Sequence, residues 1–268
     1  MIRSELAENG YAVGPQLDAQ QLAKGRSFFS ELVSGPWPVG FVSTARDGPA
    51  EERNRVSRVV RELVRPVLSA SLGSVQIFLA AILNKSPGTG TLTLHQDLTY
   101  TNEPISRSYT CWIPLVDPEP SNGAIRVVDG SHCWTTGIRP AGPGAAQQAS
   151  GIMAEIEARA TTPELRAGDL LIWDNALFHG SWANKSSLHR PALAATFTDP
   201  DAELRLHWAQ STTSLQAYKL DEHYLTDPHP FRAPPKSGIR LTPWGPPAAP
   251  LEELPHKGAC TVPHQRKS

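Results

Sequence analysis

From Ser74 to about Pro200 the chain is a succession of short apolar segments separated by turn sequences. Turns such as Asn122-Gly123 and Asp129-Gly130 end these segments, and no amphipathic helix pattern of comparable strength lies between them. Regularly spaced strands without intervening helices predict a mainly β domain of the sandwich or jelly-roll type. The predicted strands are Val75 to Leu83, Thr91 to His95, Tyr109 to Leu115, Ala124 to Val128, Leu170 to Trp173 and Ala192 to Thr198.

Two helices are predicted before the first strand. Asp18 can cap a helix that ends at Gly35-Pro36. A stronger apolar stripe at helical spacing lies between Pro49 and Gly73, and Pro66 is expected to kink this second helix. The domain should therefore carry flanking α-helices on its N-terminal side.

The strand pattern fades after about Pro200, and the last part of the chain is rich in proline. We therefore expect a domain over residues 1–200 and a Pro-rich C-terminal extension over residues 201–268. Disordered segments are usually poor in aromatic residues, so the aromatic residues of the extension favour partial docking onto the domain. They are Trp208, Tyr218, Tyr224, Phe231 and Trp244.

Composition favours a small molecule as the partner. The 268 residues include 25 basic and 26 acidic residues, for a net charge of -1, so no general electrostatic drive toward nucleic acid or an anionic membrane exists. The start of the chain lacks the apolar run of a secretory signal, which predicts a soluble, cytoplasmic protein. The three cysteines lack C-x-x-C spacing, which argues against a zinc ribbon and predicts free thiols in the cytosol. Nothing in the sequence indicates an oligomeric state.

The run His95-Gln96-Asp97 points to a metal site. Residues two apart on a strand project from the same face, so His95 and Asp97 can chelate one ion. Such H-x-D triplets are common by chance, but His179 follows a second apolar strand and Arg190 precedes a third. Two imidazoles and one carboxylate are the ligands of non-haem Fe(II) oxygenases, and a guanidinium suits recognition of a co-substrate carboxylate. The other seven histidines are expected to be mostly solvated.

Several stretches together resemble the phytanoyl-CoA dioxygenase family of Fe(II)- and 2-oxoglutarate-dependent oxygenases. The resemblance covers roughly residues 5 to 200, and its combination of motifs is more specific than H-x-D alone. The matching stretches are Glu8 to Val13, Lys85-Ser86-Pro87-Gly88, His95-Gln96-Asp97, Asn122 to His132, Ala167 to Leu171, His179-Gly180-Ser181 and Arg190-Pro191-Ala192-Leu193.

This resemblance implies a double-stranded β-helix, also called a jelly roll or cupin-like fold, with Fe(II), 2-oxoglutarate and O2 as cofactor and co-substrates. It implies that His95, Asp97 and His179 hold the metal. It also implies that Arg190 grips the distal carboxylate of 2-oxoglutarate. Ser181 and Trp112 would line that pocket, and Gln96 would touch it from the metal side. An aromatic residue at Trp112 is equally compatible with a purely structural role in the core.

The expected reaction is hydroxylation of an unactivated C–H of a small metabolite, with release of succinate and CO2, and natural-product biosynthesis is one setting for it. Related halogenases replace the metal carboxylate with a small residue, so Asp97 disfavours halogenation. Desaturation, epoxidation and cyclisation stay open, as do a non-catalytic jelly-roll binding module and a cupin-like enzyme that does not use 2-oxoglutarate. The substrate could be free, linked to coenzyme A or bound to a carrier. Tyr100, Arg107 and Trp134 are predicted to contact it.

Overall fold

The fold, taken from a computed structural model, consists mainly of antiparallel strands, with four α-helices among the described residues. The structure describes residues 1–145, 151–221, 224, 231–235 and 238–255. The helices are α1 (Ile2–Asn9), α2 (Ala19–Val33), α3 (Ala50–Leu72) and α4 (Met153–Glu157), with a 3-10 turn at Ser131–Cys133. The strands are β1 (Tyr11–Gly14), β2 (Phe41–Ser43), β3 (Gln76–Lys85), β4 (Leu92–His95), β5 (Ser108–Pro114), β6 (Ile125–Val127), β7 (Leu170–Asp174), β8 (His179–Ser181), β9 (Arg190–Thr198), β10 (Arg205–Ser211), β11 (Ser214–Lys219) and β12 (Arg240–Leu241).

A six-stranded sheet in the order β1-β7-β5-β9-β3-β2 forms the large layer of the domain. Its two faces have different partners because side chains alternate along each strand. On one face Ile82, Ile113 and Leu193 are fully buried in a core that includes residues of α2 and α3. On the other face Trp112 and Ala194 belong to a second core that includes residues of the small sheet. Helices α2 and α3 therefore cover the outside of the large sheet, and its inside faces the small sheet.

The small layer is a three-stranded sheet in the order β4-β8-β6. Gly180, in the middle of β8, fits between its neighbours because it has no side chain. A Cβ atom at this position would lie 2.5 Å from the backbone oxygen of Leu92 in β4. The close approach keeps β4 and β8 paired next to the two histidines that end and begin them.

The C-terminal part of the chain packs against the domain. Strands β10, β11 and β12 form a separate antiparallel sheet. Its aromatic residues Trp208 and Tyr218 share an apolar cluster with Phe78 and Tyr100 of the domain. Trp244 packs on His207, with the two ring centroids 5.2 Å apart. Trp208 and Tyr218 thus lie in an apolar cluster with residues of β3 and of the loop after β4.

The two predicted helices are present, and Asp18 forms a complete capping box with Gln21 at the start of α2. The six predicted strands also exist, with ends shifted by one or two residues. Strand Ala192 to Thr198 begins earlier than predicted, since Arg190 already pairs with Lys85 of β3. The sequence did not predict α1, α4 or the strands β1, β2, β8, β10, β11 and β12.

Two smaller expectations were wrong. His132 and His207 are buried rather than solvated, and burial lowers the pKa of His207 to about 4. Cys111 is a buried free thiol, but Cys133 is disulfide-bonded, so the expectation of free thiols fails there. Cys260 lies outside the described residues. Among those residues no helix is both long and apolar enough to span a membrane.

Candidate metal and co-substrate site

His95, Asp97 and His179 come together between the two sheets. Each offers one ligand atom, and these atoms all lie within 4.8 Å of one another. The pairing of β4 with β8 sets His95 directly opposite His179, and their ring centroids are 4.5 Å apart. Asp97 follows β4, and its Oδ2 lies 3.8 Å from Nε2 of His179. This arrangement fits one metal ion with two nitrogen ligands and one oxygen ligand.

Hydrogen bonds orient both imidazoles. Nδ1 of His95 lies 2.9 Å from the backbone oxygen of Thr93, and Nδ1 of His179 lies 3.0 Å from that of Leu177. A carbonyl can only accept, so each Nδ1 carries the proton and each Nε2 keeps its lone pair for a metal. Burial lowers the pKa of His179 to about 4, even though the nearby Asp97 carboxylate acts in the opposite direction. His179 is therefore neutral at neutral pH, as a ligand must be.

Trp173 supports the carboxylate ligand from the large sheet. Its Nε1 donates a hydrogen bond of 3.3 Å to Oδ2 of Asp97. Its ring also lies against His179, with the centroids 4.6 Å apart. One indole thus contacts two of the three candidate ligands, and this role was not predicted because Trp173 reads as an ordinary apolar strand residue.

A cavity of about 700 Å³ opens beside the triad. This volume lies in the range of small-molecule sites, which is roughly 300 to 1,000 Å³. Both sheets line it, together with the loop after β2 and one residue pair of the C-terminal extension. The lining includes Leu79, Ala81, Leu83, Leu92, His95, Gln96, Asp97, Tyr100, Thr110, Trp112, Trp173, His179, Ser181, Arg190, Ala194, Thr196, Phe231 and Arg232.

Several buried polar atoms without hydrogen-bond partners among the described residues line this cavity near Arg190, where β9 begins. The side chain of Arg190 is about 1 % exposed, yet neither its Nε nor its Nη1 has a hydrogen-bond partner among the described residues. Nε1 of Trp112 and Oγ of Ser181 are also buried without a partner there. The Arg190 guanidinium carbon lies 5.2 Å from the centroid of the Trp112 ring. Because buried donors are costly to leave unsatisfied, this group of donors fits an anionic ligand with oxygen acceptors.

A second buried cation lies next to Arg190. Nζ of Lys85 donates 2.8 Å to the backbone oxygen of Gly90 and also donates to that of Trp182. Burial and the charge of Arg190 lower the pKa of Lys85 to about 8, whereas burial alone lowers the pKa of Arg190 to about 10. Both groups are therefore cationic at neutral pH. Lys85 could not be singled out from the sequence beyond its place in a matching stretch.

Of the other residues predicted to contact co-substrate or substrate, two line the metal cavity and two do not. Gln96 lines the cavity, but its amide donates 2.8 Å to Thr135 and also to the backbone oxygen of Ala176. Tyr100 is buried and lines the cavity, and its contact with a substrate stays a prediction.

Arg107 and Trp134 are not among the residues that line this cavity. Arg107 forms a 2.7 Å ion pair with Asp174 and faces a different cavity. Trp134 packs beside Phe178, with the centroids 6.2 Å apart. Their predicted substrate contacts therefore have no support from their positions.

A two-histidine, one-carboxylate triad beside a buried arginine, held between antiparallel sheets, defines the class of non-haem iron oxygenases that use a 2-oxo acid. The chain belongs to the phytanoyl-CoA dioxygenase (PhyH) family, whose profile matches residues 7–192. Enzymes of this family use Fe(II), 2-oxoglutarate and O2. The resemblance seen in the sequence is thereby confirmed.

Two curated fungal relatives match part of the chain. The dioxygenase andF of Emericella variicolor is 29 % identical over 130 residues, which is 44 % of this chain and 39 % of that protein. The dioxygenase olcK of Penicillium canescens is 28 % identical over 135 residues, which is 47 % of this chain and 40 % of that protein. The matches thus span well under half of either relative.

Solved structures with low sequence identity share the fold. The 2-oxoglutarate-dependent carbocyclase SnoK from nogalamycin biosynthesis has a TM-score of 0.59 at 18 % identity, over 90 % of this chain and 95 % of that one. The epimerase SnoN from the same biosynthesis has a TM-score of 0.56 at 19 % identity, over 94 % of each chain. HygX from Streptomyces hygroscopicus, crystallised with nickel and 2-oxoglutarate, has a TM-score of 0.53 at 16 % identity, over 75 % of this chain and 88 % of that one. These likenesses support the cupin-like assignment of the antiparallel sheets.

Proposed function

We propose that this protein is an Fe(II)- and 2-oxoglutarate-dependent dioxygenase that hydroxylates a C–H of a small metabolite on a double-stranded β-helix scaffold. His95, Asp97 and His179 hold the iron, and Arg190 pairs with the distal carboxylate of 2-oxoglutarate. When bound, iron and 2-oxoglutarate supply an oxidation in which the co-substrate is decarboxylated to succinate and CO2 while O2 is consumed.

The observation that carries this proposal is the group of unpartnered donors around Arg190. A cupin-like enzyme without 2-oxoglutarate would not need the buried guanidinium, indole N–H and hydroxyl, and a non-catalytic module that binds an anion would not need the metal triad beside them. A carboxylate accepts from all three, and a guanidinium donates to both of its oxygens at once. Trp112 and Ser181 are therefore assigned to the co-substrate pocket, together with Gln96 at the metal side.

Residues around the metal site orient its ligands and the substrate. The carbonyl groups that accept from the two imidazoles fix their Nε2 atoms on the metal side. Trp173 holds the Asp97 carboxylate in place. The apolar lining around Leu79 and Tyr100 excludes water and positions the C–H that reacts. Hydroxylation is the default outcome, and a different placement of the substrate would give desaturation, epoxidation or cyclisation from the same ligands.

The test measures co-substrate binding before turnover. Protein loaded with Fe(II) under anaerobic conditions is titrated with 2-oxoglutarate, and chelation of the iron by the 2-oxo acid is followed by its visible charge-transfer absorption. Asp97→Ala should lose the absorption because the metal is lost. Arg190→Ala should weaken binding by at least tenfold, since hydrogen bonds to charged groups contribute about 1.5 to 3 kcal/mol. Arg58→Ala, an exposed residue of α3, is the matched control.

Activity is then read as succinate release under air with a panel of small-molecule substrates. Wild-type protein and the Arg58 variant should release succinate, and the Asp97 and Arg190 variants should not. Equal 2-oxoglutarate binding by wild type and Arg190→Ala would overturn the proposed role of Arg190. Oxygen consumption that is indifferent to 2-oxoglutarate would instead support the cupin-like alternative.

A further inference from the structure

The mouth of the metal cavity carries a guanidinium that the proposed function does not use. Arg46 lies in the loop after β2 and lines the cavity. Its side chain forms no ion pair or hydrogen bond with any residue in the described parts of the chain. The neighbouring charges are already paired. Asp47 accepts 2.9 Å from the backbone N–H of Ser43 at one oxygen and forms a 3.2 Å ion pair with Arg232 at the other.

The loop that carries Arg46 is held firmly by its backbone. The N–H groups of Arg46 and Asp47 both donate to the backbone oxygen of Ser43, at 2.9 and 2.8 Å. Thr44 donates 3.1 Å from its N–H to the backbone oxygen of Ile82, and its hydroxyl accepts from the Ile82 N–H at 2.9 Å. A side chain on such a pre-organised loop loses less freedom when it binds a ligand.

Arg46 and Arg190 reach the cavity in different ways. Arg190 begins β9, and its side chain is buried. Arg46 is exposed, on a loop that leaves β2 after Ser43 and is tied at Thr44 to Ile82 of β3. Because one guanidinium is buried and the other is exposed, an anion near Arg46 is different from the one that Arg190 holds.

The lining between Arg46 and the triad is largely apolar. Tyr100 packs edge-on against Phe78 and Phe231, with centroids 5.1 and 6.3 Å away. Burial raises the pKa of Tyr100, Asp97 raises it further and Arg46 lowers it, so this ring lies within the field of both charges. A ligand that spans the cavity would place an apolar body against Tyr100 and an acidic group at Arg46.

We propose that Arg46 is a specificity-determining residue that binds an acidic group, a carboxylate or phosphate, on an otherwise apolar substrate. The inference rests on the proposed function, because it assigns the reacting end of that substrate to the metal. Arg46 is solvent-exposed, and exposed ion pairs contribute about 0.2 to 1 kcal/mol, so its expected effect on affinity is about two- to fivefold.

The test compares acids with their neutral amides. Benzoate, 2-naphthoate and 9-anthracenecarboxylate, each beside its amide, are titrated calorimetrically into protein that holds Mn(II) and saturating 2-oxoglutarate. The co-substrate occupies the Arg190 pocket under these conditions, so the acids report on the remaining cavity. At least one acid should bind about two- to fivefold more tightly than its amide. Arg46→Gln should abolish the difference, Arg46→Glu should reverse it, and Arg58→Gln should leave it unchanged.

Three outcomes would overturn the assignment: no acid binds, the acids bind no better than their amides, or the preference persists in Arg46→Gln. Failure of the proposed function has a separate signature, since 2-oxoglutarate would then show no binding to the Mn(II) protein. In that case the same acid and amide pairs are titrated into Arg190→Ala, where the Arg190 pocket cannot contribute. If Arg190→Ala still prefers acids over amides and this preference disappears when Arg46 is also replaced, the Arg46 site is supported. If Arg190→Ala shows no preference, the Arg46 site is refuted.

Discussion

Lys85 and Arg190 are register partners on the adjacent strands β3 and β9, and both side chains are buried. Two cations at neighbouring buried positions repel each other, and an anion between or beside them relieves the repulsion. Two cations that repel each other thus lie where the co-substrate carboxylate is proposed to bind.

The affinity for 2-oxoglutarate should fall as the pH rises through about 8, the value to which burial and Arg190 lower the pKa of Lys85. Above that pH Lys85 loses its charge and no longer attracts the carboxylate, while Arg190, with a pKa of about 10, stays cationic. The dissociation constant at pH 7 to 9.5 is the measurement. Lys85→Met should flatten the profile, and an equally steep profile in that variant would assign the titration to another group.

The titration of Lys85 should also make the free energy of unfolding rise with pH, whereas it makes the affinity for 2-oxoglutarate fall. The pKa of Lys85 is lowered in the folded state from its ordinary value of 10.5 to about 8. Between these values the unfolded chain binds more protons, so Lys85 makes the free energy of unfolding rise with pH. Wild type without 2-oxoglutarate should therefore gain stability relative to Lys85→Met as the pH is raised over this window in chemical denaturation. A difference that is constant with pH would contradict the shifted pKa.

Trp112→Phe should weaken 2-oxoglutarate binding while the fold is retained. The substitution removes the buried Nε1 donor but leaves an aromatic ring under the Arg190 guanidinium. One lost hydrogen bond to a carboxylate corresponds to about 1.5 kcal/mol, or roughly tenfold in affinity. Anaerobic titration and a melting curve together decide between a role in binding and a role in packing. Unchanged affinity with lower stability would make Trp112 a core residue only.

Trp173→Phe should lower metal affinity, since the Asp97 carboxylate loses the N–H that orients it. Loss of such a supporting hydrogen bond reduces metal affinity by about 10- to 100-fold. Competition with a chelator for Mn(II) measures the effect in the absence of 2-oxoglutarate. Trp182→Phe is the matched control, because Nε1 of Trp182 donates to Thr162, which is not a candidate ligand. Equal metal affinity in the two variants would remove Trp173 from the site.

Gly180→Ala should destabilise the protein and disturb the triad. The added Cβ would meet the backbone oxygen of Leu92 at 2.5 Å, so β4 must move away from β8 next to His179. Overpacking of this kind costs about 1 to 3 kcal/mol. Gly151→Ala is the control, because no described residue lies within 4 Å of its Cβ position. Similar melting temperatures and metal affinities for the two variants would show that β4 accommodates the methyl group.

The long strands of the large sheet were predictable because each is a run of apolar residues bounded by turns. Strand β8 is only three residues long, His179–Ser181, and such a segment has no detectable period. The candidate metal ligands could be proposed despite this, because His95 and Asp97 are two apart in sequence and His179 and Arg190 flank apolar strands. Trp173 was missed because the sequence gives no sign that a core aromatic also donates to a ligand.

Arg46 could not be recognised from the sequence for a different reason. It is one of 25 basic residues, and only the pairing of β2 with β3 brings its loop to the cavity. Phe231 and Arg232 reach the same cavity from about 185 residues further along, as the Arg232 pair with Asp47 shows. Contacts over such separations carry no local signal, so these residues of the cavity lining could not be predicted from the sequence.

The candidate metal ligands belong to the small sheet and its edge, whereas Arg190 belongs to the large one. Under the proposed function a single 2-oxoglutarate molecule, chelated at one end and clamped at the other, therefore fastens the two layers together. A ligand at 100 times its dissociation constant adds about 2.7 kcal/mol to the free energy of unfolding. Under that function the free energy of unfolding would rise with the concentration of 2-oxoglutarate, so the co-substrate would be a structural brace as well as a reactant.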